Sequence, residues 1–421
     1  MSVPPVVLNP ASRREFLRGL FLTAGGVAAA PLLSACGSSR APGGSLPSQA
    51  GGLSKFAGIG ALQAPDANGI MLPQGFSSRV VAVSGETPVL GGSYSWHSFP
   101  DGGATYATDD GGWVYTSNSE VPGIGGLGGA GALRFDANGT VVDAYSILTG
   151  TTQNCAGGKT PWGTWLSCEE TGSGITWECD PLGVMPAVAK PALGTFAHEA
   201  VAVDETNREL FLTEDTGDGA FYRFVPSATD WPAGSERAAM EDGVLQVARV
   251  LQSDPDDVLY GPQPVVWLDA INPDQPQSSN RHPEATPFAG GEGIWWYQGV
   301  VFFSTKGDNR IWAYDTHAQT LEVIYDFATS DNPILSGVDN LLVSSDGDVL
   351  VAEDGGNMEI CVILPDRTVK PVLRITGQDA SEICGPAFSP DGTRLYLSSQ
   401  RGGRGGAGSG ITYEIGLPFV A

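Results

Sequence analysis

TWLSCE, residues 164–169, is a short strand-forming run that ends in a thiol and a carboxylate. The same shape returns as VYTSNS (114–119), LFLTED (210–215), VFFSTK (301–306), VLVAED (349–354) and LYLSSQ (395–400). Each run closes on two mostly polar residues, and its fifth position is Asn118, Cys168, Glu214, Thr305, Glu353 or Ser399. The runs recur about every 46 to 50 residues, with one double step of roughly 91. Units of this length, each with several strands, predict a β-propeller of six blades. The double step covers Pro- and Asp-rich text. It predicts an insertion, about 227–287, between the third and fourth repeat units.

Outward from these runs the all-β reading holds. Asp110-Gly111, Asp346-Gly347 and Asp391-Gly392 are turn pairs ahead of three of them, and long amphipathic helical patterns are absent. RIWAYD (310–315) and ITYEIG (411–416) read as outer strands, and SSRVVAVS (77–84) is expected to close the ring against the last blade. The propeller is thus one domain, 69–421. Ahead of it, residues 1–36 read as a leader. Arg13 and Arg14 form a twin arginine, and a modest apolar stretch ends in Leu33-Ser34-Ala35-Cys36. This predicts twin-arginine export and lipidation at Cys36, with 37–68 as a flexible tether to the cell surface or periplasmic face. A net charge of -25 excludes nucleic acid as a partner. The expected membrane contact is the lipid anchor alone, and the expected state is a monomer.

A second register lies 13 to 15 residues upstream of the first and holds Asn154, Glu199, Glu292, Asp339 and Gly385. In a propeller blade the innermost strand starts at one channel mouth and the next strand ends there. Glu199, Glu292 and Asp339 are therefore expected to meet Cys168, Glu214 and Glu353 at one opening, beside His198 and Asn340. Carboxylates gathered in one small space must either gain protons or hold cations. Oxygen ligands suit calcium, and a thiolate suits a transition metal. Lys306 shares the register and is the candidate catalytic cation. Cys361 with Cys384, and Cys155 with Cys179, are candidate disulfides, which would leave Cys168 as the odd thiol.

Five blocks carry a family resemblance: NCAGGKTPWGTWLSCEE (154–170), GTFAHEAVAVD (194–204), ELFLTEDTGDGAFYRFVP (209–226), GVDNLLVSSDGDVLVAED (337–354) and CGPAFSPDGTRLYLSSQ (384–400). Together they resemble the PhoX family of alkaline phosphatases. The resemblance implies a six-bladed propeller with an iron and calcium cluster at the channel mouth, acting on small-molecule phosphate esters. It implies Cys168 as an iron ligand, and Glu199, Glu292, Asp339 and Glu353 as carboxylate ligands. Glu120 is carried over from an Asn-x-Glu pattern. Two departures stand out. Where phosphatase members carry Arg-Pro-Glu this chain has Gly290-Gly291-Glu292, and a Gly-Arg-Phe block reads Gly194-Thr195-Phe196. Lys306, Arg281 or Arg401 is then the replacement cation. The competing readings are a calcium-dependent propeller esterase or lactonase with calcium alone, and a non-catalytic, metal-stabilised binding propeller.

Overall fold

A computed structural model describes residues 54–123, 125–251, 261–406 and 408–419. Cys36, Arg13, Arg14 and the rest of the expected leader lie outside the described residues. The described chain is all-β, apart from three single-turn 3-10 segments. Its strands form four sheets of four or five strands and one of nine.

Each sheet is built by simple antiparallel meanders. Pro100–Ala107, Trp113–Ser119, Gly128–Phe135 and Val141–Thr151 pair in chain order, as do Asn154–Lys159, Trp165–Glu169, Thr176–Cys179 and Val188–Ala189. The last sheet closes as expected. Ser77–Val83 adds to Ile411–Gly416, with Val80 opposite Tyr413. Ile70–Met71 likewise adds to Val369–Ile375 at the edge of the five-stranded sheet. The turn pairs have their expected role. Gly347, at φ +88, takes the left-handed conformation that a side chain disfavours, and its N–H donates to Ser344 O at 3.0 Å.

The nine-stranded sheet holds the stretch expected as an insertion. Gly243–Val250 and Gln263–Asp269 extend the meander that begins at His198–Asp204. Gln263 and Pro264 then pair with Leu321 and Thr320 on the next meander, joining the two at their outer edges. The described part of the expected tether, from residue 54, is packed against the propeller. Phe56 is buried with Ile70, Leu373 and Leu417, and Lys370 Nζ donates to Ala57 O at 2.7 Å.

The innermost strands define the centre. Pro100–Ala107, Asn154–Lys159, His198–Asp204, Gly291–Tyr297, Val338–Val343 and Ile383–Phe388 pack side by side in a closed ring, the last against the first. This is a propeller-like arrangement, with apolar cores between neighbouring sheets. The inner strands approach so closely that side chains are excluded. A Cβ on Gly158 would lie 1.8 Å from Val201 O, and one on Gly293 would lie 2.4 Å from Leu341 N. Backbone on both sides leaves no flexible atom to yield, which accounts for the glycines of the CAGG block.

Gly158→Ala is therefore expected to cost about 1–3 kcal/mol or more by overpacking. Gly172→Ala, where an added Cβ meets nothing within 4 Å, should stay within about 0.5 kcal/mol. Denaturant midpoints of the two variants check this.

Candidate metal centre

The inner strands share one local device. The pairs Pro100–Ser119, Asn154–Glu169, His198–Glu214, Gly291–Thr305, Val338–Glu353 and Ile383–Ser399 open these hairpins, and a register shift follows within the next few residues of every inner strand. A bulge re-aims the residue it displaces. The residues after these opening positions are Asp101, Cys155, Glu199, Glu292, Asp339 and Cys384. Asp101, Glu199, Glu292 and Asp339 are buried.

A second register sits just beyond the end of each following strand. Glu120, Glu170, Asp215, Lys306, Asp354 and Gln400 donate their N–H groups to Phe99, Gln153, Ala197, Gly290, Gly337 and Glu382 carbonyls at 2.8–3.1 Å. The two registers meet. Asp101, Glu120 and Cys155 bring ligand atoms within 4.8 Å of one another. So do Cys155, Glu170 and Glu199; Glu199, Glu292 and Asp339; and Asp101, Glu382 and Cys384. Gln400 Nε2 bridges Asp101 Oδ2 at 2.5 Å and Glu120 Oε2 at 2.7 Å.

Among the expected ligands, Glu199, Glu292, Asp339 and Glu120 are thus brought together. Cys168, Glu214 and Glu353 are not, and the reason is register. Cys168 is fully buried among Leu166, Phe196 and Leu212, with Sγ 3.9 Å from Thr176 Oγ1. Burial pushes its thiol up to about 12. Glu169, Glu214 and Glu353 are the equivalent residues, and each ties down loop backbone. Glu169 accepts from Thr152 N at 2.8 Å, and Glu353 from Ser336 N at 2.8 Å and Glu359 N at 3.0 Å. Glu214 accepts from Ala220 N at 3.1 Å, Tyr222 OH at 2.8 Å and Arg281 Nη1 at 2.6 Å. Arg281 is therefore engaged away from the mouth. Asn154 is structural too, donating to Ser167 Oγ at 3.0 Å. His198 is buried, stacked on Phe196 at 3.6 Å and 3.1 Å from Gly194 O, and burial lowers its imidazole to about 3.

The thiols at the mouth are Cys155 and Cys384, one residue from the expected Asn154 and Gly385. No described cysteine is disulfide-bonded, so the expected Cys155–Cys179 and Cys361–Cys384 pairs are absent. Asp101, Glu170, Asp215, Asp354 and Glu382 also escaped the sequence reading. A signal for the inner set existed. Asp101-Gly102, Cys155-Ala156, Glu199-Ala200, Glu292-Gly293 and Cys384-Gly385 each place an acid or thiol before a small residue.

The electrostatics follow from burial. Both carboxylate oxygens of Glu199 are buried without a hydrogen-bond partner. Burial, then Glu292, Asp339, Glu170 and Asp101, push this carboxyl well above the usual range. Burial, then Glu120 and Asp339, do the same to Asp101. Burial and the acids Asp101 and Glu199 raise the Cys155 thiol. Glu170 rises to about 8, from burial first and then Glu120 and Asp215. The opposing cations are Lys306 and Arg401. Lys306 Nζ lies 3.0 Å from Glu292 Oε1, 3.3 Å from Asp339 Oδ2 and 3.1 Å from Asp354 Oδ2. Burial alone would lower this ammonium, but Asp339, Glu292 and Asp354 outweigh it and raise it. Arg401 Nη2 meets Glu382 Oε1 at 2.9 Å. Behind the mouth the axis holds a cavity of about 210 Å³, lined by small and apolar residues such as Ala156, Ala200, Ile294 and Leu341.

This donor set fits a metal. An orphaned, fully buried carboxylate facing other acids and a thiol is relieved either by a proton or by a bound cation, and the donor set suits the latter. The sign of the pH dependence is fixed by the raised carboxyls. In the unfolded chain Glu170 ionises near 4.5, but in the folded chain only near 8. Metal-free protein should thus be most stable near the lower value and lose stability as pH rises through that window. Added divalent cation should remove most of the loss, by a few degrees or more in melting temperature. Thermal melts from pH 5 to 8, with chelator and with calcium, check this.

Comparison with known proteins agrees with the architecture. The chain matches Pseudomonas fluorescens PhoX, solved in complex with vanadate, a transition state analogue, with a TM-score of 0.68 at 17% identity. The match covers 86% of this chain and 98% of that one. A gluconolactonase from Xanthomonas campestris aligns at a TM-score of only 0.47 and 13% identity, over 86% of this chain and 98% of that one. No curated protein sequence matches the chain. The sequence model of the alkaline phosphatase PhoX family matches residues 125–183 and 173–403. The chain belongs to the PhoX alkaline phosphatase family.

Proposed function

We propose that this protein is an exported, metal-dependent phosphatase that hydrolyses small phosphate esters at the acidic channel mouth. The observation that carries the reading is Glu199, whose two buried, unpartnered oxygens face Cys155, Glu170, Glu292 and Asp339. Membership of a phosphatase family supports the reaction class. The vanadate complex of the Pseudomonas relative points the same way.

The residues that would hold the metals are Asp101, Glu120, Cys155, Glu170, Glu199, Glu292 and Asp339, with Cys155 in the role expected of Cys168. The mixed donors suit iron at the thiolate and calcium at the carboxylates. Such ions would supply Lewis acidity and neutralise charge on a phosphoryl group. The chain's own contribution is placement. The bulges fix the inner donors on rigid strands, and Gln400 holds Asp101 and Glu120 in one orientation. Arg401 has a planar donor fork of which one arm meets Glu382, which leaves donors for a phosphate oxygen. Lys306 supplies positive charge but directs its Nζ to carboxylates. We count the nine-stranded sheet as two blades, which makes six around the ring of inner strands.

The twin-arginine leader and a lipid anchor at Cys36 belong to the same proposal. No described helix is long and apolar enough to cross a membrane. Cys36→Ala should release the mature protein from the membrane fraction into the soluble fraction. Retention of the variant in membranes would refute the anchor.

Cys155→Ser should lower metal affinity and phosphate release from a chromogenic ester by at least about 100-fold, while remaining folded. Cys168→Ala should stay within about threefold of the parent in kcat/KM, or about 0.7 kcal/mol. Elemental analysis and steady-state kinetics on the two variants separate a metal ligand from a core thiol. If the variants behave in the opposite order, the assignment of Cys155 is wrong. A folded parent that binds metal but releases no phosphate would leave a metal-stabilised binding propeller as the function.

A further inference from the structure

Lys306 stands in the outer register, at the position that Glu170, Asp215 and Asp354 occupy in other blades. A base among acids at an equivalent site is a change of sign. Its surroundings show what the change does. The three oxygens around Nζ come from two neighbouring blades, with Glu292 on its own sheet and Asp339 and Asp354 on the next. An ammonium has three N–H donors and no acceptor. Three carboxylates at 3.0–3.3 Å surround it as ion pairs, with a hydrogen bond to Asp354 Oδ2 at 3.1 Å. A divalent ion binding through the same oxygens would have to sit against the ammonium. Glu199 borders this corner, with ligand atoms of Glu292 and Asp339 within 4.8 Å, but its situation is reversed. Both Glu199 oxygens are buried and lack any partner, and they lie in one group with Cys155 and Glu170.

We propose that Lys306 is a tethered cation that takes the place of one metal ion at the mouth. It holds the Glu292–Asp339–Asp354 corner and confines metal to the side of Glu199, Cys155 and Glu170. The inference rests on the metal-site reading of the mouth and is independent of turnover. A chain-borne charge cannot be removed by chelators, so this corner stays compensated when the metal side is stripped. Glu292 and Asp339 then offer the metal side only the oxygens that Lys306 leaves free.

The test is metal stoichiometry in the parent, Lys306→Gln and Lys306→Arg proteins, each loaded with iron and calcium and analysed for elements. Lys306→Gln should bind one more divalent ion per chain than the parent, and its melting temperature should rise more with calcium. Lys306→Arg, which keeps the charge, should match the parent. Equal metal content in the parent and a folded Lys306→Gln protein would overturn the proposal. A second measurement needs no variant. Acylation of Lys306 in the parent by an amine-reactive ester, read by peptide mass spectrometry, should be equally low with chelator and with saturating calcium. If calcium unmasks Lys306, the ammonium is displaced by metal and the proposal fails. Absence of phosphate release from metal-loaded parent protein would count against the phosphatase reading and not against this one.

Discussion

The structure depends on the burial of like charges at one end of a closed ring of strands. Glu199, Asp101, Glu292 and Asp339 are nearly inaccessible to water, and their carboxyls are raised by burial and by neighbouring acids. Such a gathering is unstable as a set of bare anions. Every feature around it acts to compensate or to fix it. Gln400 and Asn340 donate to Asp101, Glu120 and Asp339. Lys306 and Arg401 bring positive charge, and Glu199 is left with two oxygens that lack a partner among the described residues.

The bulges make this gathering possible. A regular inner strand would alternate its side chains between neighbouring cores. The shift near the start of each inner strand displaces one residue toward the axis, while close backbone contact is kept by Gly158 just beyond one shift and by Gly293 within another. The same geometry keeps the mouth acids away from the loop-tying acids. In Cys168-Glu169-Glu170, three adjacent residues have three roles: Cys168 fills an apolar core, Glu169 anchors loop backbone, and Glu170 reaches the mouth.

Much of this was legible in the sequence. The recurring strand endings predicted the all-β, propeller-like chain, and SSRVVAVS was placed correctly as the closing strand. Glu199, Glu292 and Asp339 meet one another at the mouth, as their spacing within the repeat led one to expect. Cys155 and Cys384 were missed by one residue because a fixed spacing from the strand endings landed on Asn154 and Gly385, and spacing does not show which residue a bulge turns to the mouth. Cys168 was misplaced for the converse reason. TWLSCE was aligned with LFLTED by its letters, whereas the pairing of Asn154 with Glu169 makes Glu169, not Cys168, the equivalent of Glu214. Charge changes such as Lys306 are visible as letters, but two of the three carboxylate contacts of Lys306 come from the adjoining blade, which no local pattern reports.

The central claim is that metal is held by Glu199 and Cys155 on one side of the mouth. A crystal structure of the metal-loaded protein, with anomalous maps recorded at the iron edge, tests it most directly. The account predicts an iron peak within bonding distance of Cys155 Sγ and a Glu199 oxygen, and none at Cys168. An iron peak bonded to Cys168, or a metal-loaded mouth in which Glu199 touches no ion, would contradict it.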